Sequence, residues 1–204
     1  RLKNIIASYN LQASKRLLLC AHWDTRPYAD QDTNPANHRK PILGANDGAS
    51  GVGVLLEVAR QLHLNEPTIG VDIVLFDLED WGTPEFYTGP QREDTWCLGS
   101  QYWSQQAVKS GYKADFGILL DMVGAPNAQF YKEQISTYYA SFVVEKVWNA
   151  AQSLGFGSYF INQSGGAVTD DHLYVNRVAN IPCIDIIQYN PYGATGFGDY
   201  WHTV

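Results

Sequence analysis

The sequence predicts an α/β sandwich, and two observations carry that prediction. Five apolar runs of strand length recur along the chain, over residues 4–8, 17–21, 71–76, 116–120 and 181–187. Three stretches with helical character lie between them, over 49–63, 95–110 and 135–154. An alternation of strands and helices is typical of a sheet covered by helices.

The individual elements have local support. The strand runs are nearly continuous rather than alternating, which is typical of strands that are covered on both faces. The third helix is followed by Gly155, a frequent residue at helix C-termini. The first helix follows the Asp47–Gly48 turn and carries one apolar stripe, formed by Val54, Leu55, Val58 and Leu62.

Three segments are predicted as loops. Two of them are long, over 27–43 and 81–91. Long ordered loops in compact domains tend to be functional. A third stretch, over 189–201, is rich in glycine and tyrosine, and we expect it to form the wall of a pocket.

Composition narrows the class of protein. The chain has 204 residues, 45% apolar and 17% charged, which predicts one compact domain over 1–204. No stretch approaches the roughly 18 consecutive apolar residues of a membrane span. A net charge of −7 without a basic cluster argues against nucleic-acid binding. Three scattered cysteines do not form a disulfide framework or a zinc knuckle pattern.

Both ends of the chain are abrupt. Residue 1 is Arg, no hydrophobic leader precedes the first strand, and the sequence stops on WHTV. We therefore expect a fragment that is trimmed at both ends, with any targeting signal outside it.

Side chains of the kind that bind metals follow successive apolar runs, at the point where each run stops. Ligands bind beyond the carboxyl ends of the strands in open α/β sheets. A single Asp at a strand end is more often a turn former, so the prediction of a metal-centred site depends on the whole series. The series comprises His22, Asp24, Asp47, Glu79, Asp80, Asp121 and His202.

Three members of this series suit a catalytic zinc. Asp47, Asp80 and His202 would supply two carboxylates and one imidazole and leave one coordination position open. Glu79 directly precedes Asp80, so the two side chains leave the backbone in different directions and Glu79 can act as a base. Asp24, two residues after His22, can orient that histidine if it binds metal.

A second dense polar group is Asp170-Asp171-His172. Adjacent carboxylates near a metal repel each other and share protons, which perturbs their pKa values. The alternative is a helix N-terminus, where Asp is a common cap. The sequence leaves both interpretations open.

Taken in order, these motifs resemble the zinc aminopeptidase clan, and most closely its glutaminyl cyclase branch. The specific segments are GANDGASG, LLDMVGAPNAQF, TDDH and WHT, and the resemblance extends from about residue 4 to the end. It implies a mixed, largely parallel central β-sheet flanked by helices as a three-layer sandwich. It also implies one catalytic zinc and a glutaminyl-peptide cyclotransferase activity, which converts an N-terminal glutamine of a peptide to pyroglutamate and releases ammonia.

The same resemblance implies roles for individual residues. Zinc is expected at Asp47, Asp80 and His202, and Glu79 is expected to be the general acid/base. The remaining counterparts are Asp121 and Asp170, which would hydrogen-bond near Glu79, and Trp201, which would form a wall of the substrate pocket. Because such cyclases commonly act on secreted peptides, we expect an extracytoplasmic location.

Two features depart from the family pattern. The acidic pair is Glu79-Asp80, whereas the animal members have Glu-Glu, so the backbone is expected to approach the metal more closely. A second pocket tryptophan that follows the pair in the animal enzymes has three candidate counterparts here, which are Trp81, Trp96 and Trp103.

Two other functions remain open from the sequence. In a two-zinc aminopeptidase, His22 and Asp121 would bind a second metal, Asp47 would bridge, and Glu79 would activate water. A non-catalytic binding domain of the same fold would be expected to have a damaged ligand set, whereas Asp47, Glu79, Asp80 and His202 are all intact.

Overall fold

The computed structural model describes residues 2–90, 92, 94–193 and 195–204. The strands in these residues are β1 (Ile5–Tyr9), β2 (Arg16–His22), β3 (Gly70–Phe76), β4 (Phe116–Asp121), β5 (Phe130–Lys132), β6 (Phe160–Ser164) and β7 (Cys183–Ile187). The α-helices are α1 (Ala49–Leu64), α2 (Leu98–Ser110), α3 (Gln134–Ser153) and α4 (Asp171–Arg177), and a short 3-10 helix spans Pro35–Asn37. None of the helices in the described residues has the length and apolar character that crossing a bilayer requires.

The central sheet has five strands in the order β1-β3-β2-β4-β7. Strands β3, β2, β4 and β7 are parallel to one another, and β1 is antiparallel to β3. The predicted mixed, largely parallel sheet is therefore confirmed. Since the carboxyl ends of parallel strands meet at one edge, β2, β3, β4 and β7 end side by side.

Helices cover both faces of this sheet. On one face, Trp103 of α2 and Val175 of α4 pack against Phe76 and Leu119. On the other face, α3 contributes Trp148, which packs with Ile184 of β7. Helix α1 lies on the same face as α3, where Leu55 packs against Ala21 and Ile73. Burial on both faces explains the continuous apolar runs and confirms the three-layer sandwich.

The structure differs from the sequence prediction in three places. The expected burial of both faces is wrong for β1, because this edge strand leaves Ile5 and Ile6 50% and 57% exposed. Helix α2 begins at Leu98 rather than at residue 95, since Cys97 has a left-handed φ of 55°. A small second sheet, formed by β5 and β6, was not predicted.

Candidate active site

Most of the residues predicted from the strand ends line one cleft at the carboxyl edge of the sheet, and His22 contacts one of them, Asp47. Strand β2 ends on His22, β4 ends on Asp121, and the acidic pair follows β3 after a short turn. The cleft has a volume of about 540 Å³. It is lined by Asp47, Glu79, Asp80, Asp121, Asp170, Trp201 and His202, together with Trp96, Tyr189 and Phe197.

Two carboxylates and one imidazole converge at the centre of the cleft. His202 Nε2 lies 3.1 Å from Asp80 Oδ1 and 3.3 Å from Asp47 Oδ2. Burial alone would lower the pKa of His202, but the carboxylates of Asp47 and Asp80 outweigh burial and raise it to about 9. Oδ2 of Asp80 is buried and has no hydrogen-bond partner within the described part of the chain. One candidate ligand atom from each of the three residues lies within 4.8 Å of the others, so the group could hold a metal ion.

The GANDGASG segment places Asp47 through close backbone packing. A Cβ on Gly48 would lie 2.7 Å from the main-chain oxygen of His22, so only glycine fits directly after Asp47. Asn46 Oδ1 accepts a hydrogen bond from Gly124 N at 2.8 Å, which ties this segment to the turn after β4. The GANDGASG and DMVGAPN segments of the sequence thus form one local unit.

Asp24 fixes the backbone of the acidic pair. Its carboxylate accepts hydrogen bonds from the main-chain nitrogens of Glu79 at 3.0 Å and Asp80 at 3.1 Å. Its distance to His22 Nδ1 is longer, at 3.5 Å. Asp24 therefore orients the backbone of Glu79 and Asp80, and it also lies near His22, the histidine that the sequence pattern associated with it.

The side chains of the acidic pair point to different partners. Asp80 contacts His202, whereas Glu79 Oε1 accepts a hydrogen bond from the Cys97 thiol at 3.2 Å. Burial raises the pKa of Glu79 well above its usual range, and the negative charges of Asp80 and Asp170 raise it further. A buried carboxyl group with a raised pKa can exchange a proton near neutral pH.

His22 belongs to a second group of side chains beside the first. Its Nε2 atom lies 3.0 Å from Asp47 Oδ1 and 3.1 Å from Asp121 Oδ1. Candidate ligand atoms of these three residues also lie within 4.8 Å of one another. Asp47 is therefore shared between the two groups, one with His22 and Asp121 and the other with Asp80 and His202.

Asp170 combines the two interpretations that the sequence left open. It is the N-cap of α4, and its Oδ1 accepts a hydrogen bond from Asp171 N. It also lines the cleft, where one of its oxygens lies within 4.8 Å of candidate ligand atoms of Glu79 and Cys97. Burial, followed by the charge of Asp121, raises the pKa of Asp170 to about 6.

The structure distinguishes among the candidate tryptophans. Trp201 stacks on the His202 ring, with 4.0 Å between centroids. Trp96 lies parallel to the same ring at 6.3 Å and lines the cleft. Trp81 is 54% exposed, and Trp103 packs in the core, so neither lines this cleft.

Sequence reasoning missed Arg26 and Asp30, which contact two of the candidate metal ligands from outside the cleft. Arg26 donates to the main-chain oxygen of Asp80, and Asp30 lies next to His202. The Arg26 guanidinium is buried and donates to both oxygens of Asp30, at 2.5 and 3.2 Å. Asp30 Oδ1 lies 3.6 Å from Nδ1 of His202. The length of the loop over 27–43 indicated function for the segment that contains Asp30, without indicating a residue, and Arg26 directly precedes that loop.

Comparison with known proteins identifies the family. The sequence profile described as peptidase family M28 matches residues 4–204. The chain belongs to peptidase family M28. This assignment agrees with the three-layer fold and with the cleft at the carboxyl edge of the sheet.

Two solved structures of related proteins are closely similar to this M28 chain. A zinc-dependent exopeptidase from Parabacteroides distasonis is 56% identical with a TM-score of 0.96, over 99% of this chain and 69% of that one. Glutaminyl cyclase from Tannerella forsythia is 58% identical with a TM-score of 0.95, over the same two fractions.

A curated relative is more distant in sequence. The glutaminyl-peptide cyclotransferase of Bos taurus is 23% identical over 224 residues, which cover 98% of this chain and 58% of the bovine protein. The chain thus spans a little over half the length of this curated relative.

Proposed function

We propose that this chain carries the active site of a zinc-dependent glutaminyl-peptide cyclotransferase. The observation that supports this most directly is the position of Glu79, a buried carboxyl group with a raised pKa, next to the group formed by Asp47, Asp80 and His202. Similarity to the Tannerella forsythia and Bos taurus cyclases supports the same activity.

The donor set suits one zinc ion. Zinc accepts imidazole nitrogen and carboxylate oxygen, and a catalytic site has three protein ligands and one open position. Asp47, Asp80 and His202 provide these donors, and the unpartnered Oδ2 of Asp80 is the kind of buried polar atom that a cation would satisfy. When bound, zinc supplies a Lewis acid that polarises a carbonyl oxygen.

Glu79 moves the proton in the proposed reaction. Its carboxylate removes a proton from the α-amine of an N-terminal glutamine, and the amine nitrogen then forms a bond to Cδ, the carbonyl carbon of the side-chain amide. The bond between that carbon and the amide nitrogen breaks, and Glu79 returns the proton to the departing nitrogen, which leaves as ammonia. The reaction consumes no water and closes a five-membered ring.

The surrounding side chains give the cleft its shape and polarity. Trp201, Trp96 and Phe197 form aromatic walls around His202. Asp170 places a carboxyl group near Glu79 and its charge favours the protonated form of Glu79, and Asp121 lines the same cleft. A small aromatic cleft suits one terminal side chain and limits the access of water that would otherwise compete as a nucleophile.

A two-zinc aminopeptidase is the second candidate, and the group of His22, Asp47 and Asp121 favours it. Because Asp47 belongs to both ligand groups, the cleft could hold two ions with Asp47 between them. Glu79 would then activate a water molecule and an N-terminal residue would be released. We propose one ion because the specific segments of this chain resemble the cyclase branch.

The proposed substrates are peptides or proteins with an N-terminal glutamine, and an extracytoplasmic location remains a prediction.

Ammonia release by the zinc-loaded protein from a peptide that begins with Gln tests the activity. A peptide that begins with Asn tests the ring size, and an N-acetylated Gln peptide tests the need for a free amine. We expect ammonia from the free Gln peptide alone. Equal release from the acetylated peptide would contradict cyclisation.

A further inference from the structure

A buried cysteine at the start of α2 lies against Glu79, and the proposed reaction gives it no part. Cys97 is 0% exposed and directly precedes Leu98, the first residue of α2. Free cysteines in protein cores commonly act as small apolar fillers. The backbone conformation of Cys97 and its polar partner both indicate more than filling.

The backbone of Cys97 has a conformation that residues other than glycine rarely adopt. Its φ of 55° and ψ of 33° lie in the left-handed region, where a Cβ atom is crowded. A side chain in this region costs free energy, and such positions persist only where the surrounding structure holds them. They are concentrated at functional sites, which favours a role for this side chain beyond packing.

The segment that carries the acidic pair holds Cys97 in this conformation. The main-chain nitrogen of Cys97 donates to the main-chain oxygen of Glu79 at 2.9 Å. Gly99 allows α2 to come this close, because a Cβ at this position would overlap the main-chain oxygen of Asp77. The start of α2 and the backbone of the proposed general acid/base are therefore fixed relative to each other.

The side chain of Cys97 makes a second contact with the same residue. Its Sγ atom donates a hydrogen bond to Oε1 of Glu79 at 3.2 Å. Within the described part of the chain, no other group donates a hydrogen bond to the Glu79 carboxylate. Cys97 therefore binds Glu79 through main chain and side chain together, and the second carboxylate oxygen, Oε2, has no donor among the described residues.

The thiol is suited to act as the donor. Burial raises the pKa of Cys97 well above its usual range, and the negative charge of Glu79 raises it further, so the thiol keeps its proton. An ionised carboxylate can only accept hydrogen bonds. The last side-chain torsion of a glutamate has broad minima, so a hydrogen bond to one oxygen is needed to fix the direction of the other.

We propose that Cys97 is a positioning residue for the proposed general acid/base. Its thiol holds Oε1 of Glu79 and thereby directs Oε2 toward the α-amine of the substrate. The inference rests on the proposed function, because that function gives Glu79 its role in proton transfer. Cys97 is absent from the lining of the cleft, so its loss should affect kcat rather than substrate binding. A reacting group misplaced by about 1 Å can lower a rate roughly 100-fold.

Substitutions of the cysteine distinguish a donor from a filler. Cys97→Ala removes the donor, and we expect kcat for a Gln peptide to fall roughly tenfold, with KM and zinc content unchanged. Cys97→Ser restores a donor of similar size, so its kcat should lie within about 3-fold of that of the unsubstituted protein. Cys97→Gly also removes the donor and suits a left-handed backbone, so it replaces Cys97→Ala should that variant not fold.

The matched control is Cys183→Ala. Cys183 is also 0% exposed, but it lies in β7, which two strands of the sheet separate from β3. This variant loses the same thiol from the core, and its kcat should not change. Full activity of the variants without a donor would overturn the proposal. An equal loss in Cys97→Ser and Cys97→Ala, or in Cys183→Ala and Cys97→Ala, would overturn it as well.

Infrared spectroscopy of the zinc-loaded protein tests the contact without substrate. The S–H stretching band of a thiol moves with hydrogen bonding, and the band of Cys97 is the one that is absent from Cys97→Ser. Glu79→Leu removes the acceptor, so we expect this band to move to higher wavenumber. The exposed Glu66 provides the control, since Glu66→Leu should leave the band in place.

The two measurements separate this inference from the proposed activity. An unmoved band in Glu79→Leu would overturn the inference even if the unsubstituted protein releases ammonia. A moved band in a protein that releases no ammonia would confirm the contact and contradict the proposed function.

Discussion

Arg26 donates a hydrogen bond from Nη1 to the main-chain oxygen of Asp80 at 2.8 Å. The same guanidinium holds Asp30, whose carboxylate faces Nδ1 of His202. One buried side chain therefore supports two of the three proposed zinc ligands from outside the cleft. Loss of a group that orients metal ligands in this way typically lowers metal affinity roughly 10- to 100-fold.

Replacing this arginine should weaken zinc binding. Arg26→Lys retains the charge but loses the planar set of donors that reaches Asp30, Asp80 and Gly82 together. We expect the zinc dissociation constant to rise roughly 10- to 100-fold, as measured by competition with a chelator.

The matched control for that substitution is Arg60→Lys. Arg60 also binds a carboxylate through two nitrogens, at 2.7 and 2.8 Å from Glu57, but the pair is exposed on α1. Zinc affinity should not change in this variant. If both arginine variants bind zinc as tightly as the unsubstituted protein, Arg26 does not support the ligands.

The proposed general acid/base should be separable from metal binding. Glu79→Gln removes proton transfer while Asp47, Asp80 and His202 remain. We expect kcat to fall at least about 100-fold, with unchanged zinc content by elemental analysis. The exposed Glu66 provides the control variant, Glu66→Gln, which should retain full activity. Turnover in Glu79→Gln equal to that of the control would remove Glu79 from the mechanism.

The length of the Asp80 side chain, which is the second acid of the Glu79-Asp80 pair, should match the fixed position of its backbone. Asp24 and Arg26 hold the main chain of Asp80 on both sides, so the chain cannot retreat to make room for a longer side chain. Asp80→Glu, which restores the pair of the animal enzymes, should therefore weaken zinc binding. Chelator competition measures the change, and tighter binding would show that the backbone does not set the length of this ligand.

The stability of the fold should depend on pH through Glu133. Its folded pKa of about 2 lies below the ordinary value of 4.5, so its ionised form stabilises the fold above about pH 4.5. This contribution is lost as the pH falls from about 4.5 to about 2. Glu133→Gln should therefore lower the free energy of unfolding at neutral pH, by up to roughly 3 kcal/mol, and much less at about pH 3.

Urea unfolding of Glu57→Gln supplies the comparison. The pKa of Glu57 is also lowered to about 2, by its hydrogen bonds to Arg60 and Gln61, but this glutamate is exposed and its interactions are screened by solvent. We expect little change in its unfolding free energy at either pH. A constant difference between Glu133→Gln and the unsubstituted protein across this pH range would contradict the assignment.

The sequence was most informative where a polar residue stops an apolar run. His22, Glu79, Asp80 and Asp121 are local interruptions of this kind that parallel strands bring to one edge, and the GANDGASG segment before α1 adds Asp47. Asp185 is also a polar residue in an apolar run, but it lies in the middle of the run over 181–187 and does not end it. Only the fold shows that Asp185 lies close to Asp170.

Other features depend on tertiary contacts that no local pattern carries. Trp96 and Asp30 lie next to His202, and Arg26 contacts both of them, through loops whose course depends on the rest of the chain. Strand β5 has only three residues, which is too short a run to distinguish from a loop in the sequence. Its partner β6 follows α3 in the chain, so the pairing is not local. The exposure of β1 depends on the helices that cover it rather than on its composition, since β7 at the opposite edge of the sheet is buried.

The most direct test of the account is mass spectrometry of the zinc-loaded protein with two peptides in one tube. They share a sequence except for the first residue, which is Gln in one and Leu in the other. The account predicts that the Gln peptide loses the mass of one ammonia while the Leu peptide stays intact. Release of free leucine, with the Gln peptide uncyclised, would contradict it and would assign His22 and Asp121 to a second metal.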